Sequence, residues 1–309
     1  MTLFIQLCFF VVGFAMLVKG ADWFVDGTSG IAAKFGIPQL VIGLTIVAMG
    51  TSAPEAAVSI TAAIKGNADI TIGNIVGSNI LNILIILGIS SVMTTIAVAK
   101  STIKYEIPIM IAITLLLFLV GMDGTVTFRD GIVLLAAFIA YLAYVLGMAK
   151  QNKNDELGET KELTIRKALF LTVTGLGLIV FGSDVTVDAA KELARIFGLS
   201  ERFIGLTIVA LGTSLPELFT SVLAARKGNA DIAIGNIVGS NIFNILFVVG
   251  FSALITPIPF APAFCIDTLT AVAAAVILLL CSLKDKRLKC WHGVIMLSGY
   301  FIYFIYLCR

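Results

Sequence analysis

Gly43-Leu-Thr-Ile-Val-Ala-Met-Gly-Thr-Ser-Ala-Pro-Glu55 returns as Gly205-Leu-Thr-Ile-Val-Ala-Leu-Gly-Thr-Ser-Leu-Pro-Glu217, 162 residues later. The stretch from Gly66 to Ile83, containing Gly73-Asn-Ile-Val-Gly-Ser-Asn-Ile-Leu-Asn82, returns at the same spacing over 228–245. Of the 41 positions from Gly43 to Ile83, 31 are identical in the copy. The repeated text is polar in a chain that is otherwise apolar, so it reads as a site assembled from two matching halves.

The surrounding composition places those halves in a membrane. The 309 residues are 59% hydrophobic and 13% charged, whereas soluble domains carry about a quarter charged residues. Apolar runs often reach the roughly 20 residues that cross about 30 Å of hydrocarbon. The first run lacks a basic leader and a small-residue cleavage site, so it reads as a retained helix. Cys8, Cys265, Cys281, Cys290 and Cys308 fit neither a zinc site nor a disulfide framework. The formal charge of +2 points to no polyanionic partner, and no nucleic acid or obligate protein partner is expected.

Ten spans are predicted, near 3–26, 38–62, 70–97, 105–121, 130–149, 165–188, 200–224, 232–256, 265–282 and 292–308. The expected fold is an all-α polytopic membrane protein, with ten transmembrane helices as two inverted-topology repeats of five. Residues 1–149 form the first repeat, 150–164 the cytoplasmic linker and 165–309 the second repeat. Five is odd, so the second unit must run upside down relative to the first, as in secondary transporters with midplane sites. The linker side holds 14 of the 21 Lys and Arg residues. The positive-inside rule then places the linker in the cytoplasm and both termini outside.

Glu55 and Glu217 lie well inside apolar spans. A carboxylate at helix centre costs about 2.5–3.5 kcal/mol even on lenient scales. Each needs a cation, a proton or a partner, and neither span offers a Lys or Arg at that depth. The plain alternative is a protonated glutamate bonded between helices, but the acid occurs twice with the same polar neighbours. Ala48, Thr51, Ser52 and Glu55 are three or four apart and share a helix face, as do Ala210, Thr213, Ser214 and Glu217. Pro54 and Pro216 remove the helical donors to the Gly50 and Gly212 carbonyls and break the helices there.

The following spans add Ser78 and Asn82, and their copies Ser240 and Asn244. These read as ion contacts rather than interhelical glue. Asn74, Asn79, Asn236 and Asn241 remain open between the two roles, and the nearby glycines read as close-packing positions. The donors are all hard oxygens, which suits Ca2+ and also Na+; no His or Cys joins them, against zinc or copper. Ca2+, a set of Na+ ions, or protons could each neutralise the carboxylate pair, but not together. His292 reads as an interfacial residue, and Asp22, Asp26, Asp69, Asp184, Asp188 and Asp231 as helix caps or first-turn anions.

The Gly50-Thr-Ser-Ala-Pro-Glu55 and Gly73–Asn82 motifs and their copies resemble the two alpha repeats of the sodium/calcium exchanger family, within the cation/Ca2+ exchanger superfamily, in its compact prokaryotic form. The resemblance covers essentially the whole chain. It implies that Glu55 and Glu217 carry a central Ca2+ site, with main-chain oxygens from Thr51 and Thr213. Ala48, Ser52, Ser78, Ala210, Ser214 and Ser240 match positions resembling Na+ sites. Spans one and six resemble the helices that slide to switch access. Some prokaryotic relatives place an aspartate where this chain has Asn244, so a third central carboxylate is not expected here. The implied function is electrogenic Na+/Ca2+ antiport by alternating access, three Na+ against one Ca2+, extruding Ca2+ across a prokaryotic inner membrane. The transported ions are Ca2+ and Na+, the bilayer is the surrounding partner, and neither enzyme activity nor a cofactor is expected. The alternative is an H+/Ca2+ or other cation/proton antiporter using the same glutamates.

Overall fold

The computed structural model describes residues 3–66, 68–151, 163–197 and 210–307, and the side chains of Asp69, Lys150, Gln151 and Ala210 lie outside that description. The helices are α1 (Leu3–Phe35), α2 (Gln39–Thr51), α3 (Ala53–Ile64), α4 (Ile70–Met93), α5 (Thr102–Gly121) and α6 (Phe128–Gln151), then α7 (Ile165–Ile196), α8 (Ala210–Thr213), α9 (Leu215–Arg226), α10 (Ala230–Ile255), α11 (Pro262–Leu283) and α12 (Cys290–Leu307). Eight of these are long and apolar enough to cross a membrane, and α2 with α3 makes a ninth span bent by 49°. The remaining predicted span, 200–224, is described only from Ala210, and most of the 150–164 linker lies outside the described residues.

α1 and α7 run past the predicted ends near 26 and 188. The small-residue stretch Gly27-Thr-Ser-Gly-Ile-Ala-Ala33 carries no helix breaker strong enough to stop a buried helix, and α1 ends only where Gly36 turns to φ 62°. Asp22, Asp26, Asp184 and Asp188 therefore lie inside long helices and are not caps. Asp231 does stand in the first turn of α10. His292 opens α12 buried, with its Nδ1 accepting the Lys289 amide at 2.9 Å. Asp130, its counterpart on α6, accepts the Thr127 amide at 2.8 Å in the same way. Two different side chains thus satisfy the same orphan helix-start donor.

Burial sorts the helices. The most apolar stretch of α4 is 78% buried and that of α10 83%, against 22% for α1 and 33% for α7. The two polar-faced helices form the centre, and α1 and α7 lie across it with apolar surface turned outward. α1 and α7 pack backbone to backbone: a Cβ on Gly175 would stand 2.5 Å from the Phe24 nitrogen. Small residues at such contacts are the usual means of close approach between membrane helices.

Two short antiparallel strand pairs tie the halves together. β1 (Ile96–Ala97) pairs with β4 (Arg287–Leu288), and β2 (Thr125–Val126) pairs with β3 (Ile258–Pro259). The Val98 amide donates to the Lys286 carbonyl at 2.9 Å, and the Phe260 amide to the Gly124 carbonyl at 2.8 Å. These two bonds are the same bond 162 residues apart. Each joins a loop of one half to a loop of the other.

Candidate ion-binding site

The break between α2 and α3 falls at Ser52 (φ −81°, ψ 7°), and that between α8 and α9 at Ser214 (φ −90°, ψ 6°). Pro54 and Pro216 stand in the first turn of the helices that follow, where a missing N–H is harmless. The carbonyl freed at Gly212 is recovered by Ser183 of α7, whose hydroxyl donates to it at 2.8 Å. Ala21 occupies the matching place on α1 and has no hydroxyl to offer.

The two breaks bring the glutamates together. Glu55 is 1% exposed and Glu217 is fully buried. Each is held by the serine of the other half: Ser52 Oγ donates to Glu217 Oε1 at 2.7 Å, and Ser214 Oγ to Glu55 Oε1 at 3.2 Å. Thr51 approaches Glu217 and Thr213 approaches Glu55. The second oxygen of each carboxylate has no hydrogen-bond partner, and neither do Ser78 Oγ, Asn82 Oδ1 and Asn244 Oδ1. Among the described residues no Lys, Arg or His pairs with either glutamate, and no third acidic side chain joins them.

The asparagines divide by role. Asn79 Nδ2 donates to the Asn241 carbonyl and Asn241 Nδ2 to the Asn79 carbonyl, both at 3.1 Å. Their side-chain oxygens accept from Asn82 Nδ2, at 2.9 Å on Asn241, and from Asn244 Nδ2, at 3.2 Å on Asn79. With their amide nitrogens engaged on this scaffold, Asn82 and Asn244 keep their oxygens free. Asn74 and Asn236 donate to Ser59 and Ser221, each at 2.9 Å, and reach the main-chain carbonyls of Glu55 and Glu217 at 3.3 and 3.5 Å. The four asparagines whose role the sequence leaves open are thus hydrogen-bonded to the frame. Duplication alone does not signal that Asn79 and Asn241 meet, since Asn74 and Asn82 return at the same spacing without facing their copies.

The copies also differ in their surroundings. Ser240 Oγ donates to the Ala48 carbonyl at 3.3 Å, and Ala48 packs so closely on α10 that a Cβ on Gly239 would come within 2.8 Å of it. Ser78 makes no such bond; the side chain of its expected neighbour Ala210 lies outside the described residues. A cavity of 490 Å3 runs between α3, α7 and α8, and its lining includes Pro54, Ser183, Asp184, Gly212 and Thr213. A cavity of 590 Å3 at the other end is lined by Asp22, Asp26, Lys227 and Asn229, and includes none of the residues around the glutamates. There Lys227 Nζ lies 2.7 Å from Asp22 Oδ1 and 2.6 Å from Asp26 Oδ1. Asp188 pairs instead with Lys191 of its own helix at 3.0 Å, and Lys65, the counterpart of Lys227, has no ionic partner among the described residues. Sequence reading misses the Lys227 bridge because it joins residues about 200 apart.

Comparison with known proteins accounts for this arrangement. The sequence pattern of the family described as sodium/calcium exchanger protein matches residues 5–147 and 167–309, one match in each half. The chain is 36% identical over 305 residues to inner membrane protein YrbG of Escherichia coli K12, covering 95% of this chain and 94% of that protein. It is 32% identical over 341 residues to sodium/calcium exchanger MaX1 of Methanosarcina acetivorans, covering 96% and 97%. A structure of the sodium-calcium exchanger NCX_Mj, soaked with 2.5 mM Na+ and 0.1 mM Ca2+, superposes with a TM-score of 0.86 at 33% identity over 97% of this chain and 98% of that one. The resemblance read from the repeated motifs is borne out, and the chain is an integral membrane transporter that belongs to the sodium/calcium exchanger family.

Proposed function

We propose that this protein is an electrogenic antiporter that exchanges Na+ for Ca2+ by alternating access. The observation that carries the reading is the facing pair Glu55 and Glu217, each buried, each with one unpartnered oxygen, and without a basic partner among the described residues. Such a pair needs a divalent cation or its charge equivalent. Glu55, Glu217 and the main-chain oxygens of Thr51 and Thr213 hold Ca2+. Ala48, Ser52, Ser78, Asn82, Ala210, Ser214, Ser240 and Asn244 complete the oxygen shell that Na+ occupies in its turn. Ca2+ balances two carboxylates, whereas three Na+ leave a surplus charge, so turnover responds to voltage.

Ten spans arranged as two inverted repeats, 1–149 and 165–309, fit the strand pairs. β1 and β4 must lie on one side of the bilayer, and six spans between them satisfy that only if 200–224 crosses as well. The basic loops then put the linker in the cytoplasm of a prokaryotic inner membrane and both termini outside. The Lys227 bridge falls at the cytoplasmic end and the 490 Å3 cavity at the outer end. This is the outward-open half of the cycle.

The test is transport in liposomes. Purified protein should accumulate Ca2+ when an outward Na+ gradient is imposed. Each turnover would carry net positive charge out of the vesicle, so uptake should quicken when a potassium ionophore lets external K+ enter in compensation. Equal uptake driven by a pH gradient without Na+ would assign the proton as the driving ion instead.

A further inference from the structure

A second cluster of buried oxygens lies away from the glutamate pair, where the start of α5 meets α6 and α10. Glu106 is fully buried, and Thr102, also fully buried, stands at the other end of a π-helical turn running Thr102–Glu106. Tyr144 of α6 donates its hydroxyl to Glu106 Oε1 at 2.5 Å. Tyr141, one turn earlier on α6 and 6% exposed, and the carboxylate of Asp231 on α10 both lie within electrostatic reach of Glu106. Lys104 lies over the Tyr105 ring at 5.0 Å, and no basic side chain pairs with Glu106 among the described residues.

Three buried atoms in this cluster have no hydrogen-bond partner: Glu106 Oε2, Thr102 Oγ1 and Tyr141 Oη. Buried side-chain polar atoms are nearly always partnered. Three orphans around one carboxylate call for a common partner. The duplication shows that the cluster belongs to the first half alone. Thr268 stands in the place of Glu106, α11 runs as a regular α-helix there, and Tyr303 donates to Asp267 at 2.9 Å. π-Turns recur at functional sites, and this one carries two of the three orphans.

The Thr102 and Tyr141 hydroxyls carry protons of their own, yet neither is placed to give one to Glu106 Oε2. A cation drawn to the carboxylate would supply the partner that all three lack. Asp231 lies outside the contacting set, which holds one formal negative charge, so a monovalent ion leaves that set neutral whereas a divalent ion would leave it positive in an apolar interior. All donors are hard oxygens. We propose that Thr102, Glu106 and Tyr141, with Tyr144 holding the carboxylate in place, form a second cation site for a monovalent, Na+-sized ion, independent of Glu55 and Glu217.

The test uses full-length protein carrying Glu55→Gln and Glu217→Gln, with Na+ titrated against choline at constant ionic strength and melting temperature as the readout. A saturable Na+-dependent rise should remain. Adding Glu106→Gln should raise the half-saturating Na+ concentration by roughly tenfold or more, and Tyr141→Phe by a smaller factor. The proposal is overturned if no saturable Na+ response remains, if the response survives Glu106→Gln unchanged, or if Ca2+ produces it at lower concentration than Na+. Should Glu106→Gln fail to fold, Thr102→Val and Tyr141→Phe carry the same comparison. Failure of the central-site reading would show separately, as Ca2+ exchange retained by the Glu55→Gln and Glu217→Gln protein.

Discussion

Replacing Glu217 by Gln removes one of the two central charges while keeping the side chain's size and its contact with Ser52, 2.7 Å away. A divalent ion about 4 Å from one carboxylate gains at most roughly 8 kcal/mol at an effective dielectric of 20. Desolvation and the retained amide oxygen offset part of that. Removing one partner from a buried charge pair costs about 3–5 kcal/mol, or between two and four powers of ten in Ca2+ dissociation constant, on the order of 10²–10⁴. The same change acts in the opposite direction on the ion-free protein. It removes the repulsion between two buried carboxylates that lack a basic partner, so the ion-free variant should melt higher than the parent. Calcium binding by calorimetry and thermal unfolding in Ca2+-free buffer read the two effects independently. A variant that binds Ca2+ within about threefold of the parent and melts at the parent's temperature would refute the carboxylate pair as the ion's charge partner.

Ser52→Ala removes the only side-chain hydroxyl that the structure places within a hydrogen bond of Glu217 Oε1 among the described residues, and Ca2+ affinity should fall by about tenfold, the equivalent of one charge-assisted hydrogen bond. Asn241→Ala removes the bond from Asn241 Nδ2 to the Asn79 carbonyl and leaves Asn82 Nδ2 unpaired, so the protein should lose about 1–3 kcal/mol of stability, read as a lower melting temperature in detergent. Gly175→Val places a branched side chain where a single Cβ already comes within 2.5 Å of Phe24; transport should be lost, and a transport rate equal to the parent's would show that α1 and α7 need not approach so closely. Lys227→Met releases Asp26 and leaves Asp22 paired with Lys19 alone. Partly exposed pairs contribute about 0.2–1 kcal/mol each, so with two pairs lost thiol labelling of Ser29→Cys from the linker side should rise by roughly two- to thirtyfold, and by less in high salt.

Much of the central site is legible in the sequence. Glu55, Ser78, Asn82 and their copies stand out because charges and amides inside apolar spans are costly to keep without an ion or a partner, and all return at one spacing. Other features are not legible. Asp22 and Asp26 look like caps as long as the helix is expected to end near them, and only the full length of α1 shows them mid-helix and bridged to Lys227. Asn79 and Asn82 look alike in sequence. Their different duties follow from which nitrogen finds a carbonyl across the axis. Glu106 does not stand out either, since at the edge of a span a single acid reads as an ordinary interfacial residue until its burial is known.

The sequence by itself determined the membrane environment, the duplication and the oxygen character of the site, because these depend on composition and periodicity along the chain, and its repeated motifs carried the resemblance to the family. Only the tertiary structure decided that each glutamate is held by the serine of the opposite half, that Ser240 is engaged while Ser78 is free, and that one end is bridged while a cavity from the other reaches the helix breaks. Two repeats that are closely alike around the site encode closely similar site halves. The difference between them arises from how the halves pack across their shared axis, where contacts between residues some 160–200 positions apart settle which hydroxyl, carbonyl or carboxylate is left without a partner.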